Sequence, residues 1–324
     1  MNSALGCCED LRFGQAISRT EVAPPLFILG HWRSGTTLLQ NLFALDRRFA
    51  TPTLFEVLFP HTLLTAERLL RPPLSLLVPR TRHTDNMRFG LDVPYEDEFA
   101  ICTMTLCSPH LSMVFPQRSD HYDRFLTLRG MSDADFKCWR AGLMKFLRKL
   151  TLKHRRPLVL KSPPHTARIR LLLEMFPKAK FVHIHRDPYA VFQSMLRLVM
   201  ASSLRQRLQT PRRGMVELED LVLHWYRLMY EAFFEDRILL PEGHFHEIRF
   251  RDLERDVVGV MRRSYEALDL PSFGEVEPEV HRYAANITGY RKTPHEPLAK
   301  PLRQRIAADW RRSFDEWGYP TSEY

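Results

Sequence analysis

The chain has 324 residues, room for one large domain or two small ones, and its 44% hydrophobic content is ample for a core. Its 47 basic and 38 acidic residues leave a net charge of +9, which suits polyanionic ligands such as nucleotides or sulfated compounds, or an acidic membrane surface. The excess is spread along the chain with no long block of Lys or Arg, which argues against a nucleic-acid partner, and no apolar run reaches the roughly 18–20 residues of a membrane span.

Residues 1–23 are polar and mixed, and read as a loosely held tail or a short helix ahead of a single domain over 24–324. Pro25 to Leu29 is short and wholly apolar, as a buried strand is. Apolar residues at 38, 39, 42, 43 and 45 follow a helical spacing. Between them lies Gly30-His31-Trp32-Arg33-Ser34-Gly35-Thr36-Thr37. Strand, glycine loop and helix in this order make the frame of a phosphate-binding loop. Gly35 allows close backbone approach, and the opening N–H groups of the helix await an anion. Thr36 and Thr37 add hydroxyls, and Arg33 adds a fork of donors. Thr36 stands where a nucleoside triphosphatase has Lys, so the loop fits a 5′-phosphate rather than the splitting of a triphosphate.

From Thr51 to Pro79 the chain is rich in Leu and Phe and cut by prolines at 60, 72, 73 and 79. It reads as core wrapping or as the wall of an apolar pocket. Glu56 is a lone carboxylate there, either turned to solvent or a base whose pKa its surroundings raise. Pro94 followed by Glu96-Asp97-Glu98 suits a helix start with acid in its first turn; the same triplet is also a second source of a carboxylate for a site. A helix with Trp139, Leu143, Phe146, Leu147 and Leu150 on one face is predicted from Phe136 to about Lys153.

Pro157 to Lys161 is a second predicted strand, Ser162 to Thr166 its C-terminal turn, and Ala167 to Phe176 a helix. Lys180 to Arg186 is a third strand, and Asp187-Pro188 opens the next helix with Asp as N-cap. Strand, helix, strand, helix at this spacing means parallel pairing with right-handed crossovers. Ligands of such sheets bind beyond the carboxyl ends of the strands, so Gly30–Thr37, Lys161–His165 and Arg186–Ser194 are placed at one crevice. The fold predicted is α/β, with three layers, P-loop-like, and a central, mainly parallel sheet flanked by helices. Further helices are expected over 217–240, 252–270 and 301–317, and a strand over 246–250. The five cysteines form no C-x-x-C pair and read as reduced thiols of a cytoplasmic protein.

Together these two blocks resemble the sulfotransferases that use 3′-phosphoadenosine 5′-phosphosulfate (PAPS), and most closely the soluble bacterial group related to tyrosylprotein and carbohydrate sulfotransferases. Arg33-Ser34-Gly35-Thr36-Thr37 is similar to that family's 5′-phosphosulfate loop. Phe176 to Pro188, with Ser194 beyond it, is similar to its 3′-phosphate segment, centred on Arg186 and Ser194. The ending Asp309-Trp310-Arg311-Arg312 to Trp317-Gly318-Tyr319 is also similar to this group. The resemblance implies in-line sulfuryl transfer to a hydroxyl, less readily an amine, with PAPS as co-substrate and no metal. It gives Lys161 the task of stabilising the bridging oxygen. It points to a Glu shortly after the loop as base, hence Glu56, with His165 as rival and Glu96 and Glu98 behind. Arg291 and Lys292 are a late basic pair placed to close over the donor's phosphates. A nucleotide kinase is the alternative, and wants a Lys after Gly35; a non-catalytic nucleotide or polyanion binder is another. The acceptor is left open among small-molecule, glycan and lipid-like alcohols, with the apolar 54–79 stretch hinting at a greasy one.

Overall fold

Along each strand of the sheet, alternate residues serve opposite faces. In β1 (Leu26–Leu29), Phe27 and Leu29 enter one core, and Leu26 and Ile28 the other. In β2 (Val159–Lys161), Leu160 joins the first core and Val159 the second. In β3 (Lys180–His185), Phe181 joins the first, and Val182 and Ile184 the second. β4 (Phe245–Arg249) completes a sheet of order β2-β1-β3-β4 in which every pairing is parallel. Parallel strands with both faces covered explain the unbroken apolar runs seen in the sequence. The structure is a computed structural model, and it describes residues 2–79, 89–205, 208–209, 214–287 and 297–321.

The first core is closed by the helices Asp133–His154, Pro188–Arg205 and Met215–Asp236 through Trp139, Phe192 and Tyr226. The second is closed by Leu39, Leu42 and Phe43 of the Thr36–Phe43 helix and by Met261 and Tyr265 of Val257–Ala267. Helix, sheet, helix is the three-layer arrangement expected.

Boundaries moved where a side chain found a better use. Residues 2–19 form a helix, α1 (Asn2–Arg19), and not a loose tail. Glu9 on α1 is fully buried, accepts from the backbone N–H groups of Leu64 and Thr65, and pairs with Lys149 at 2.6 Å. The predicted 252–270 helix is two helices, Phe250–Arg255 and Val257–Ala267. Asp256 between them caps the second by accepting from the Gly259 N–H at 2.7 Å. The predicted last helix breaks at Trp310, whose indole donates to the Leu223 carbonyl and stacks on Tyr226. The helix predicted from Ala167 begins at Ile169, after a tight turn over Pro163–Ala167.

α1 is followed by α2 (Thr36–Phe43), α3 (Leu54–Leu58) and α4 (Glu67–Ser75). Leu54, Phe55, Val57 and Leu63 are buried in the first core, so the proline-cut stretch is core over this part. α5 (Glu98–Thr105) begins at the last residue of the acidic triplet, with Asp97 as its N-cap. The register Ile28 opposite Lys161 and Leu29 opposite His183 brings the carboxyl ends of β1, β2 and β3 to one edge.

Candidate active site

β1 runs into a loop held in uncommon backbone geometry. Gly30 has φ +144° and Gly35 φ +107°, where a side chain is strained. A Cβ on Gly30 would lie 2.6 Å from the Ile184 carbonyl oxygen, and one on Gly35 2.3 Å from the ring of Phe250. Arg33 also has positive φ, 71°, a conformation that costs a non-glycine residue on the order of 1 kcal/mol and is characteristic of sites where the chain is held for use. Ser34 is buried and spends its hydroxyl inside the loop, donating to the His31 carbonyl at 2.8 Å. No side chain caps α2, so its opening N–H groups are kept for another acceptor. Thr36 and Thr37 sit in that first turn.

The segment expected to hold the second anion meets this loop. Arg33 Nε donates to Ser194 Oγ at 2.8 Å, and Arg186 Nη1 donates to the Arg33 carbonyl at 3.1 Å. Asp187 caps the following helix by accepting from the Ala190 N–H at 2.8 Å, which orients Ser194 two turns on. Arg186 lies over the ring of Phe250, 4.6 Å from its centre, at the end of β4. Phe250 therefore backs both Gly35 and Arg186, a part the sequence pattern of an isolated aromatic did not reveal. Arg33, Arg186 and Ser194, three residues from two distant segments, form one cluster. Arg291 and Lys292 lie outside the described residues.

The β2 turn is tied to the same loop, because the Gly30 N–H donates to Thr166 Oγ1 at 2.8 Å. Lys161 closes β2 with its side chain buried, and its ammonium meets Glu96 Oε1 at 2.7 Å. Glu96 keeps 16% of its side chain exposed. The acidic triplet does more than start a helix, since each carboxylate takes a different cationic or hydrogen-bonding partner. Asp97 accepts from His165 Nε2 at 2.6 Å and from Ser162 Oγ at 3.1 Å. Glu98 forms a two-pronged pair with Arg168 at 2.6 and 3.1 Å. Burial would raise the pKa of both Asp97 and Glu98, but His165 and Arg168 outweigh it and hold both below the ordinary carboxylate range.

Two residues picked from the sequence have other surroundings than expected. Glu56 does not stand alone among apolar side chains. It is the N3 residue of α3, and its Oε2 accepts from the Thr53 N–H at 2.7 Å in a capping box. Its Oε1 takes Lys153 at 2.6 Å and His154 at 2.7 Å. Burial pushes its pKa up, but the His154 hydrogen bond and the Lys153 charge pull it down to about 2, the reverse of the expected direction. His165 follows Lys161 as predicted, and it is fully buried, edge-on to Phe27 and bound to Asp97. The carboxylate that does meet Lys161 is Glu96, which the sequence ranked behind both.

Glu96 also faces His110, whose Nε2 lies 3.8 Å from its Oε2. Burial lowers the His110 pKa. His110, Trp32, Pro109, Met113, Leu126 and Trp225 line a small apolar pocket. Trp32 belongs to the loop, so the pocket adjoins the anion cluster on one side and Glu96 on the other.

Comparison with known proteins now decides the family. The model of the Sulfotransferase family matches residues 24–275. This chain belongs to that family. It is an enzyme of the sulfotransferase class, moving a sulfuryl group to a hydroxyl, and the kinase alternative is not favoured. It is 37% identical over 320 residues to the omega-hydroxy-beta-dihydromenaquinone-9 sulfotransferase Stf3 of Mycobacterium bovis, covering 98% of this chain and 81% of the relative. The same match is made to Stf3 of Mycobacterium tuberculosis. Among solved structures, sulfotransferase STF9 from Mycobacterium avium superposes with a TM-score of 0.75 at 22% identity, over 94% of this chain and 80% of that one. At that identity the likeness speaks to the fold, which the two share.

Proposed function

We propose that the enzyme takes its sulfuryl group from PAPS and gives it to a lipid-like alcohol. The observation that carries the reading is the meeting of Arg33, Arg186 and Ser194 beside an uncapped helix start, with the Lys161–Glu96 pair on the neighbouring strand end. A donor with anionic groups at both the 5′ and 3′ positions matches these residues. The α2 N–H groups, Thr36, Thr37 and the loop backbone would hold the phosphosulfate, and Arg33, Arg186 and Ser194 the 3′-phosphate. Bound there, PAPS supplies the sulfuryl group and a good leaving oxygen.

The protein's own part is positioning, charge neutralisation and one proton transfer. Lys161 donates to the oxygen that gains charge as the sulfuryl group departs. Glu96 accepts the acceptor's hydroxyl proton on a carboxylate oxygen. The 2.7 Å contact between them means that each must turn toward its own partner when substrates enter. The apolar side chains of Trp32, Met113, Leu126 and Trp225, which surround His110 next to Glu96, would form part of the acceptor's surroundings. Stf3 acts on an omega-hydroxy menaquinone by its name, and a greasy primary alcohol is the acceptor class we assign. With five free cysteines, the cytoplasm is the compartment we assign.

A melting-temperature screen tests the donor. Adenosine 3′,5′-bisphosphate should raise the melting temperature and ATP with Mg²⁺ should not, because only a ligand bound to the folded state stabilises it. Arg186→Ala should weaken the bisphosphate by about 10- to 100-fold, the value of a charged hydrogen-bonded contact. Equal shifts from both nucleotides, or an unchanged affinity in the variant, would count against the reading.

A further inference from the structure

α4 has three faces. Leu70 and Leu74 turn inward and pack on the first core. Leu69, Pro72, Pro73 and Leu76 follow the i, i+3, i+4, i+7 spacing of a single helix face, and all four are exposed. Leu77 continues the stripe. Leu69, Leu76 and Leu77 are 73%, 87% and 80% exposed, values at which a solvent-facing helix ordinarily carries charge. The third face, at the edge of the stripe, is basic: Arg68 is exposed, and Arg71 is partly exposed beside Glu67. Glu67 is itself shared between Arg71 and Lys153.

We propose that this stripe docks the enzyme on the surface of an anionic lipid bilayer, with the three leucines entering the acyl boundary and Arg68 and Arg71 meeting the headgroups. An apolar helix face bordered by arginine is how a protein lies in a membrane interface without crossing it. No helix among the described residues is long and apolar enough to cross. The surroundings favour this occupant over a second copy of the chain. The stripe spans about 12 Å along the helix axis, and five side chains fall well short of the roughly 800 Å² per partner of a stable dimer. Two copies each at +9 repel, whereas an anionic surface attracts.

The biological point rests on the lipid-alcohol reading above, since an acceptor of that kind resides in a bilayer and must be met at its surface. The next described segment of chain after α4 carries Glu96. Co-sedimentation of the full chain with vesicles separates the two ideas. Vesicles of phosphatidylcholine mixed with phosphatidylglycerol should retain the protein, and phosphatidylcholine alone should retain it far less. Replacing Leu69, Leu76 and Leu77 together with Ser should lower retention on the order of 100-fold. Arg68→Gln should lower it about fivefold, with the loss shrinking as salt rises. Melting temperature and the turnover of a short water-soluble alcohol should be unchanged in both variants. Retention that is absent, or equal in wild type and the Leu variant, overturns the docking whatever the acceptor proves to be. So does a concentration-dependent dimer that the Leu variant abolishes. If the vesicles hold the protein as described but no lipid alcohol is sulfated, the docking stands and the acceptor reading falls.

Discussion

Glu56→Gln sets two accounts of one carboxylate against each other. The structure gives Glu56 the work of a cap and an ion-pair anchor, with the Thr53 N–H on one oxygen and Lys153 and His154 on the other. Its pKa is drawn from an ordinary 4.5 to about 2. At about 1.4 kcal/mol per pH unit, that difference is worth about 3 kcal/mol of folding stability at neutral pH. Breaking a buried pair by removing one charge costs about 3–5 kcal/mol, so the two routes agree. The sign follows from a folded-state pKa below the unfolded one: the contribution is complete above pH 4.5 and fades as pH falls toward 2. Gln preserves the capping geometry, so the loss is chiefly electrostatic. In a chain of 324 residues, 3 kcal/mol amounts to about 4 °C in melting temperature. Urea unfolding of wild type and variant at about pH 7 and about pH 3 should show the gap narrow by about half. Turnover of the folded variant should match wild type. An unchanged melting temperature with turnover down about 100-fold or more would restore Glu56 as the base and refute this account.

Lys161→Ala should lower kcat by about 100- to 1000-fold, as loss of a donor to developing charge does, with little change in the affinity for adenosine bisphosphate; parallel losses in both would make Lys161 a donor-binding residue instead. Glu96→Gln should lower kcat by about 100- to 10,000-fold with little change in the affinity for adenosine bisphosphate. Unchanged turnover in that variant would point to another base.

The fold was legible because its signals are local. β1, the glycine loop and α2 are contiguous, and Pro157–Lys161 and Lys180–Arg186 are short strands rich in β-branched and bulky residues with clear stops. The rule that parallel strands end at one edge then placed Arg33 near Arg186 without any contact being known. Glu56 misled for the opposite reason. Its local partner, Thr53 at the capping-box spacing, was readable, but Lys153 and His154 arrive from 97 and 98 residues away. A carboxylate whose partners are that distant looks stranded. Glu96 was masked by a sufficient local explanation, since acid near Pro94 suits a helix start. Only the arrival of β2, 65 residues on, shows that Glu96 and Asp97 address different groups of the same turn. Phe250 carried no signal at all, because a ring at a strand end acquires its part only from the glycine it presses upon.

The buried ties of Asp97 and Glu98 have a consequence for how such an enzyme can diverge. They rivet the start of α5 to Ser162, His165 and Arg168 beneath the crevice. Glu96 thus inherits its location from two fully buried neighbours. The chain ahead of it is at liberty to lengthen, shorten or change character, while the Glu96 carboxylate stays on station.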